Sequence, residues 1–296
     1  MRYPVIGFAL FAFSAGAFGQ HLIVTAEGRH GQAPPEVVKD DVSVEVDKRP
    51  ARVKEWLPLR GDDAGLELYI VIDDGVDTDL GIQFGSLKTF FNGQPNTTRI
   101  GLAYLRNGSA NIAAAPTTDR ALLAKSLRIP LGEPGIAASP YMGIADLIKK
   151  WPAVDARREV LLISSGNDPW SPPDPENPYL GKAIADAQRA GILVHSIYYP
   201  GAGHFGHSYS RINWGQNYLS ELGDGTGGEA YWEGFGSPVS FDSWLKDLAQ
   251  RLQNQYLLTL VPEDTKGGLE PVRVTAAKSG ASVVAASEIN LRPAVD

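Results

Sequence analysis

The chain has 296 residues, 43% of them hydrophobic, enough for one large domain or a domain with an appendage. Its formal net charge of -7 supplies no positive footprint for nucleic acid or for an anionic membrane, and with no cysteine it can form neither disulfides nor thiolate metal sites. Stability must come from packing, and partners that carry exposed cations or arrive through a bound metal stay open.

The first residues read as an export signal. Arg2 gives a short basic start, "VIGFALFAFSAGAF" an apolar stretch, and Ala17 and Gly19 small residues around a cleavage point, so residues 1–19 are expected to be removed and Gln20 to become the new terminus. The alternative is an uncleaved anchor, for which the run is short against the roughly 20 residues a span needs. No later stretch is long and apolar enough to span a bilayer, so the expected location is periplasmic or extracellular, with no membrane span after cleavage.

Residues 20–62, from "HLIVTAEG" through "DDVSVEVDKRPARVKEWLPL", alternate with a period of two and predict short antiparallel strands. The rhythm then changes to alternating β and α over residues 63–262. "LELYIVID" predicts a buried strand, "GIQFGSLKTFFNG" a helix, and "TRIGLAYLRNGSANIAAAP" a strand, a tight Asn107-Gly108 turn and an antiparallel partner. Helices follow at about 118–127 and 139–151, then strand "REVLLISS", helix "GKAIADAQRAG" and strand "ILVHSIYYP". A long Gly, His and aromatic loop precedes a helix near 212–222, a strand at "GEAYWE" and a helix at 240–253. The tail, residues 263–296, returns to strands and Gly-rich turns. The predicted fold class is α/β: a doubly wound, mostly parallel central sheet with helices on both faces, and a small β region in which the N- and C-terminal strands pair beside it.

The segments "LYIVID", "AASPYMGIADLI", "VLLISSGND", "AIADAQRAGILVHSIYY", "LGDGTGGEAYW" and "LAQRLQNQYLLTLVP" stand in an order and spacing that resembles a von Willebrand factor type A (VWFA) domain, and more closely the bacterial secreted VWFA-related proteins. The resemblance covers nearly all of the chain past the signal. It implies a metal-ion-dependent adhesion site at the C-terminal ends of the strands, built from Asp-x-Ser-x-Ser, a later Thr and a second Asp. In this sequence Asp73 matches the first Asp, Gly75 stands at the first Ser, Asp77 replaces the second, Ser139 keeps a hydroxyl at the Thr position, and Ser165 falls where the second Asp belongs. The implied site is therefore degenerate: Asp73, Asp77, Ser139 and Ser165 are its candidate ligands, for Mg²⁺ or another divalent cation held weakly. Gly75→Ser with Ser165→Asp is expected to raise the affinity.

Asp73, Asp74, Asp77 and Asp79 crowd four carboxylates into "DDGVDTD". One reading is a solvated loop with Asp74 and Asp79 outward and Asp77 or Asp79 capping the next helix. The other is a cation site centred on Asp73, Asp77 and Ser139. Asp168 could replace the missing acid, although Asn167-Asp168-Pro169 is equally a turn.

An enzyme is not expected. Phosphatases that form an aspartyl phosphate need a carboxylate two residues after the nucleophile, where Gly75 stands, and a metal-dependent hydrolase built on His204 and His207 lacks a fixed acidic partner. His195, inside a strand, reads as a satisfied core residue. Trp170, Tyr209 and Trp214 put aromatics on loops expected at the ligand-facing end and are the candidate partner-binding residues. The expected function is recognition of a protein or cell-envelope component by these loops; the alternative is a structural envelope scaffold with no metal site.

Overall fold

The computed structural model of the chain describes residues 20–29, 32–136, 139–171, 174–203, 208–261 and 267–292. The expected signal segment 1–19 lies outside the described residues, as do His204 and His207. In chain order the N-terminal strands are β1 (Gln20–Gly28), β2 (Val42–Val46) and β3 (Arg49–Pro58). Next come β4 (Leu66–Asp73), α1 (Phe84–Gly93), β5 (Thr98–Arg106), β6 (Ser109–Thr117), α2 (Arg120–Ser126), α3 (Pro140–Lys150), β7 (Arg157–Ser164), α4 (Pro178–Ala190) and β8 (Ile192–Tyr198). The chain continues with α5 (Tyr209–Thr226), β9 (Ala230–Tyr231) and α6 (Asp242–Gln253), and closes with β10 (Gln255–Val261), β11 (Gly268–Ala276), β12 (Ala281–Ala285) and β13 (Glu288–Leu291).

The central sheet has the order β6-β5-β4-β7-β8-β9. Its neighbours are parallel except β6, which returns antiparallel to β5 through the expected turn, with Asn107 and Gly108 both at positive φ, 55° and 66°. β4 lies in the middle and every one of its residues is buried, which is why "LELYIVID" is apolar on both faces. Successive side chains of a strand point to opposite faces. Leu68, Ile70 and Ile72 accordingly meet Leu87 and Phe91 of α1 and Leu245 and Leu248 of α6, while Tyr69 and Val71 meet Ile144 of α3, Leu180 of α4 and Leu219 of α5.

The remaining strands form a second, antiparallel sheet in the order β12-β1-β10-β3-β2-β11-β13. It encloses its own core of Leu22, Val24, Val44, Leu258, Leu260 and Ile289, with Trp56 stacked on Tyr256 at 4.5 Å. β10 belongs here, between β1 and β3, although its residues fall within the 63–262 stretch read as the central unit. A run such as "QYLLTLV" is equally suited to either sheet, and its pairing is decided by the partners on each side.

His195 is a satisfied core residue: its Nδ1 accepts the Glu229 N–H at 3.0 Å, which leaves the proton on Nε2 for the buried Glu159 carboxylate at 2.9 Å.

Candidate functional site at the strand ends

The four crowded carboxylates have four different partners. Asp73 ends β4 and is 4% exposed; its Oδ1 accepts the Gly75 N–H at 2.8 Å and its Oδ2 the Ser164 hydroxyl at 2.7 Å. Burial pushes its pKa from 3.8 up to about 6, against the lowering effect of those two hydrogen bonds. Asp74 does not point outward. It is buried and clasped by the Arg128 guanidinium through two 2.7 Å bonds, a fork-on-fork pair. That guanidinium lies 3.8 Å over the Tyr104 ring, whose hydroxyl accepts the Arg128 N–H and donates to the Arg128 carbonyl. Asp77 caps the 3-10 turn Thr78–Gln83, its Oδ1 accepting the Asp79 N–H at 3.1 Å. Asp79 is exposed and accepts from the Tyr199 hydroxyl at 2.6 Å and the Ser237 hydroxyl at 3.3 Å.

Ser139, the residue before α3, donates to Asp168 Oδ2 at 2.7 Å. Asp168 is buried and also accepts from Asn177 Nδ2 and from the Trp170 and Ser171 N–H groups, so the acid stands beside Ser139 and also closes the turn. Ser165 is buried behind β7, its hydroxyl oxygen accepting the Asn167 N–H at 3.4 Å. The 165–167 loop presses directly on α5: a Cβ on Gly215 would come within 2.0 Å of the Ser165 carbonyl oxygen, so only glycine permits this approach.

Asp73, Gly75, Pro134, Ser165, Asn167 and Gly201 are among the walls of a cavity of about 210 Å³ at the strand ends. Its rim is stitched together by backbone. Val76 and Gly201 form an antiparallel bridge, the Asp77 N–H reaches the Pro200 carbonyl at 2.9 Å, the Ala202 N–H the Gly75 carbonyl at 3.0 Å, and the Glu133 N–H the Asp74 carbonyl at 3.0 Å. A larger groove, about 560 Å³, lies away from these ends between α4 and α5, with Glu221, Asp224 and Glu288 on its walls.

The residues present do not fit a hard divalent cation, which needs near-octahedral oxygens at about 2.0–2.6 Å. Both Asp73 oxygens are engaged, Asp77 is turned to its cap, and Ser139 is spent on Asp168. Gly75 offers no side-chain oxygen, and a Cβ there would stand 2.9 Å from Pro134 Cβ, so Gly75→Ser meets a covering loop rather than an open ligand position. Among the described residues no group of three or more Asp, Glu or His side chains converges as a cation cage.

The aromatic candidates divide. Trp170, 53% exposed in the loop after β7, and Tyr209, 69% exposed, are free to meet a partner; Tyr209 opens α5 and sets its ring edge-on to the exposed Phe235 at 5.3 Å. Trp214 is a correction. It lies inside α5, as the helix expected near 212–222 already implies, not on a loop, and packs half-buried on Tyr218.

The mostly parallel central sheet with one antiparallel edge strand matches the predicted doubly wound α/β class. The central unit has a doubly wound, mostly parallel α/β fold. No protein-family model matches the sequence, and no curated protein does. Among solved structures the chain is similar to a von Willebrand factor type A protein from Catenulispora acidiphila, at 10% identity and TM-score 0.46 over 95% of this chain and 75% of that one. It is also similar to an aerotolerance-related membrane protein from Bacteroides fragilis, at 15% identity and TM-score 0.43 over 64% of this chain and 98% of that one. A third is the vWF domain of the type V pili tip protein Mfa5 from Porphyromonas gingivalis, at 13% identity and TM-score 0.41 over 63% of this chain and 94% of that one.

Proposed function

We propose that the protein is an exported binding module, not an enzyme, that holds a protein or cell-envelope partner against the loops at the C-terminal ends of its central sheet. The observation that carries this reading is the pairing of a rim fixed by backbone hydrogen bonds with exposed rings on the loops that leave the strands. Trp170 follows β7, Tyr209 follows β8 and Phe235 follows β9, so all three emerge at one end of the sheet. A prearranged rim loses little entropy on docking, and aromatic anchors tend to dominate interface energy. Cation affinity in this reading is weak, and recognition does not depend on a metal. Among the described residues no helix is long and apolar enough to cross a membrane.

The test is capture of envelope proteins by the immobilised chain with Trp170→Ala and Tyr209→Ala, each checked for an unchanged melting temperature. Loss of a specific band with either variant, and its retention in EDTA, is expected. The scaffold reading has its own support, since all four clustered carboxylates are satisfied internally. It predicts capture indifferent to both substitutions.

A further inference from the structure

The groove of about 560 Å³ between α4 and α5 narrows toward one end. There a Cβ on Gly225 would stand 2.8 Å from Ile184 Cγ2, so the helices touch, whereas a Cβ on Gly181, one turn earlier in α4, would meet nothing within 4 Å. Apart from Asn217, the polar side chains on its walls offer acceptors and no free donor. Gln188, 7% exposed, holds its amide among wall residues: Nε2 donates to the Gly225 carbonyl at 2.8 Å and to Ser287 Oγ at 3.1 Å, and Oε1 accepts no hydrogen bond among the described residues. The Ser287 hydroxyl points to the Gly225 carbonyl at 3.3 Å and the Ser220 hydroxyl to the Gln216 carbonyl at 3.0 Å, so both keep only lone pairs. Glu221, Asp224 and Glu288 complete the walls, and among the described residues none of the three has an ion-pair or hydrogen-bond partner. Lys182 and Arg189 of α4 are paired with Asp186 instead. Asp224 stands in the last turn of α5, a turn without a basic residue, where the negative end of the helix dipole favours a cation and disfavours an acid. Burial pushes the Glu221 carboxyl above its ordinary pKa. An incoming cation would relieve both.

These walls select among cations. A bare metal ion is a poor match, because among the described residues no three acids or histidines converge tightly enough to hold one. A lysine ammonium brings its three donors to a single point. A guanidinium spreads five donors over a plane that can answer acceptors on both helices and on the β12–β13 turn together, and its methylene stem suits the apolar floor. We propose that the groove between α4 and α5 is a docking site for an arginine side chain of a partner polypeptide, its methylenes lying on Gly181, Ile184 and Ala185 and its guanidinium taken by Glu221, Asp224 and Glu288. The groove lies away from the strand-end loops, so this site stands or falls independently of the function proposed above.

The experiment titrates the ¹⁵N-labelled chain from Gln20 onward, at low salt, with acetyl-Gly-Arg-Gly-amide, with its lysine counterpart and with its citrulline counterpart, which keeps the shape of arginine without the charge. The backbone amides of Glu221, Asp224 and Glu288 are expected to move saturably with the arginine peptide, to need at least about threefold more of the lysine peptide, and to ignore the citrulline peptide. Raising NaCl to about 0.5 M should weaken the binding. Glu221→Gln with Glu288→Gln, two changes at the groove surface, should cost about tenfold or more in affinity, the effect of losing charge-assisted hydrogen bonds. Gly181→Leu places a good helix former in the open part of the groove and should abolish the shifts while melting no lower than the parent; if it melts lower, the paired carboxamide variant decides alone. No saturable shift with the arginine peptide, equal binding of the citrulline peptide, or undiminished binding to the folded variants would each overturn the proposal, and equal binding of the lysine peptide would overturn the choice of arginine. Trp170→Ala and Tyr209→Ala should leave the titration unchanged; loss of the shifts in either would place the peptide on the strand-end loops and remove the groove as its site.

Discussion

Asp73 and Asp74 are neighbours in sequence with opposite electrostatic fates. Asp74 has a guanidinium, whereas Asp73 has only a backbone N–H and a hydroxyl. A carboxyl whose folded pKa is raised from 3.8 to about 6 binds its proton more tightly folded than unfolded. Its burial therefore costs nothing at pH 3, and the penalty grows as pH rises through that window and is in full force at pH 8. Asp73→Asn, whose amide can still accept from Gly75 and donate to Ser164, should be more stable than the parent by on the order of 2 kcal/mol at pH 8 and nearly equal to it at pH 4, read from urea unfolding at both. An unchanged difference across that range would place the charge elsewhere. Arg128→Met should cost about 2–3 kcal/mol by leaving Asp74 buried and unpaired, and Asp74→Asn in the same chain should restore most of it. The cluster itself, with Asp73 at a strand end and Asp77 as a cap, is legible in the sequence. Arg128 is not, because a lone arginine in "LRIPLGEPG" gives no sign that it will clasp a carboxylate 54 positions earlier.

Elements outweigh residues where loops meet helices. α5 runs from Tyr209 to Thr226 with few apolar side chains, and Gly215 in its first half reads as a breaker. The helix persists because that glycine is where the 165–167 loop seats against it. Replacing glycine by alanine in a helix ordinarily gains about 1 kcal/mol. At Gly215 the added Cβ would press on the Ser165 carbonyl, so Gly215→Ala should instead lower stability by about 2 kcal/mol in calorimetric melting and shift the Ser165 and Asn167 amide resonances. A stabilised variant would mean that the loop is not held there. Strands β4, β7 and β8 and the amphipathic helices α3, α4 and α6 are legible because burial on one or both faces writes a period into them. The start of α5 is not, since its reason for being helical lies in another segment.

Across the whole molecule, two sheets with separate cores are joined by buried polar contacts. Arg251 of α6, 15% exposed at its side chain, pairs with Glu27 of β1 at 2.6 Å, Glu229 at 2.6 Å and Asp247 at 2.8 Å. Arg251→Met leaves three half-exposed carboxylates without their shared cation, so it should destabilise the chain by about 1–2 kcal/mol at pH 7 and low salt, read from urea unfolding, and by less at high salt. The change from period two to alternating β and α and back announces two sheets in the sequence. It announces that "NQYLLTLV" returns to strands with the tail, but not that the unit boundary falls before β10 rather than at 262, because pairing partners, not the strand's own composition, decide that. Nor does it announce that Pro134 packs over Gly75 or that the Ser139 hydroxyl donates to Asp168, which are contacts between loops distant in sequence. In the proposed function the strand-end loops bind their partner without an ion. Calorimetric titration of the folded chain from Gln20 onward with Mg²⁺, Mn²⁺ and Ca²⁺ addresses that most directly. The account predicts no saturable heat in the range below about 10 µM that cation sensors reach, and none gained by Gly75→Ser with Ser165→Asp. Micromolar binding that Asp73→Ala abolishes would contradict it.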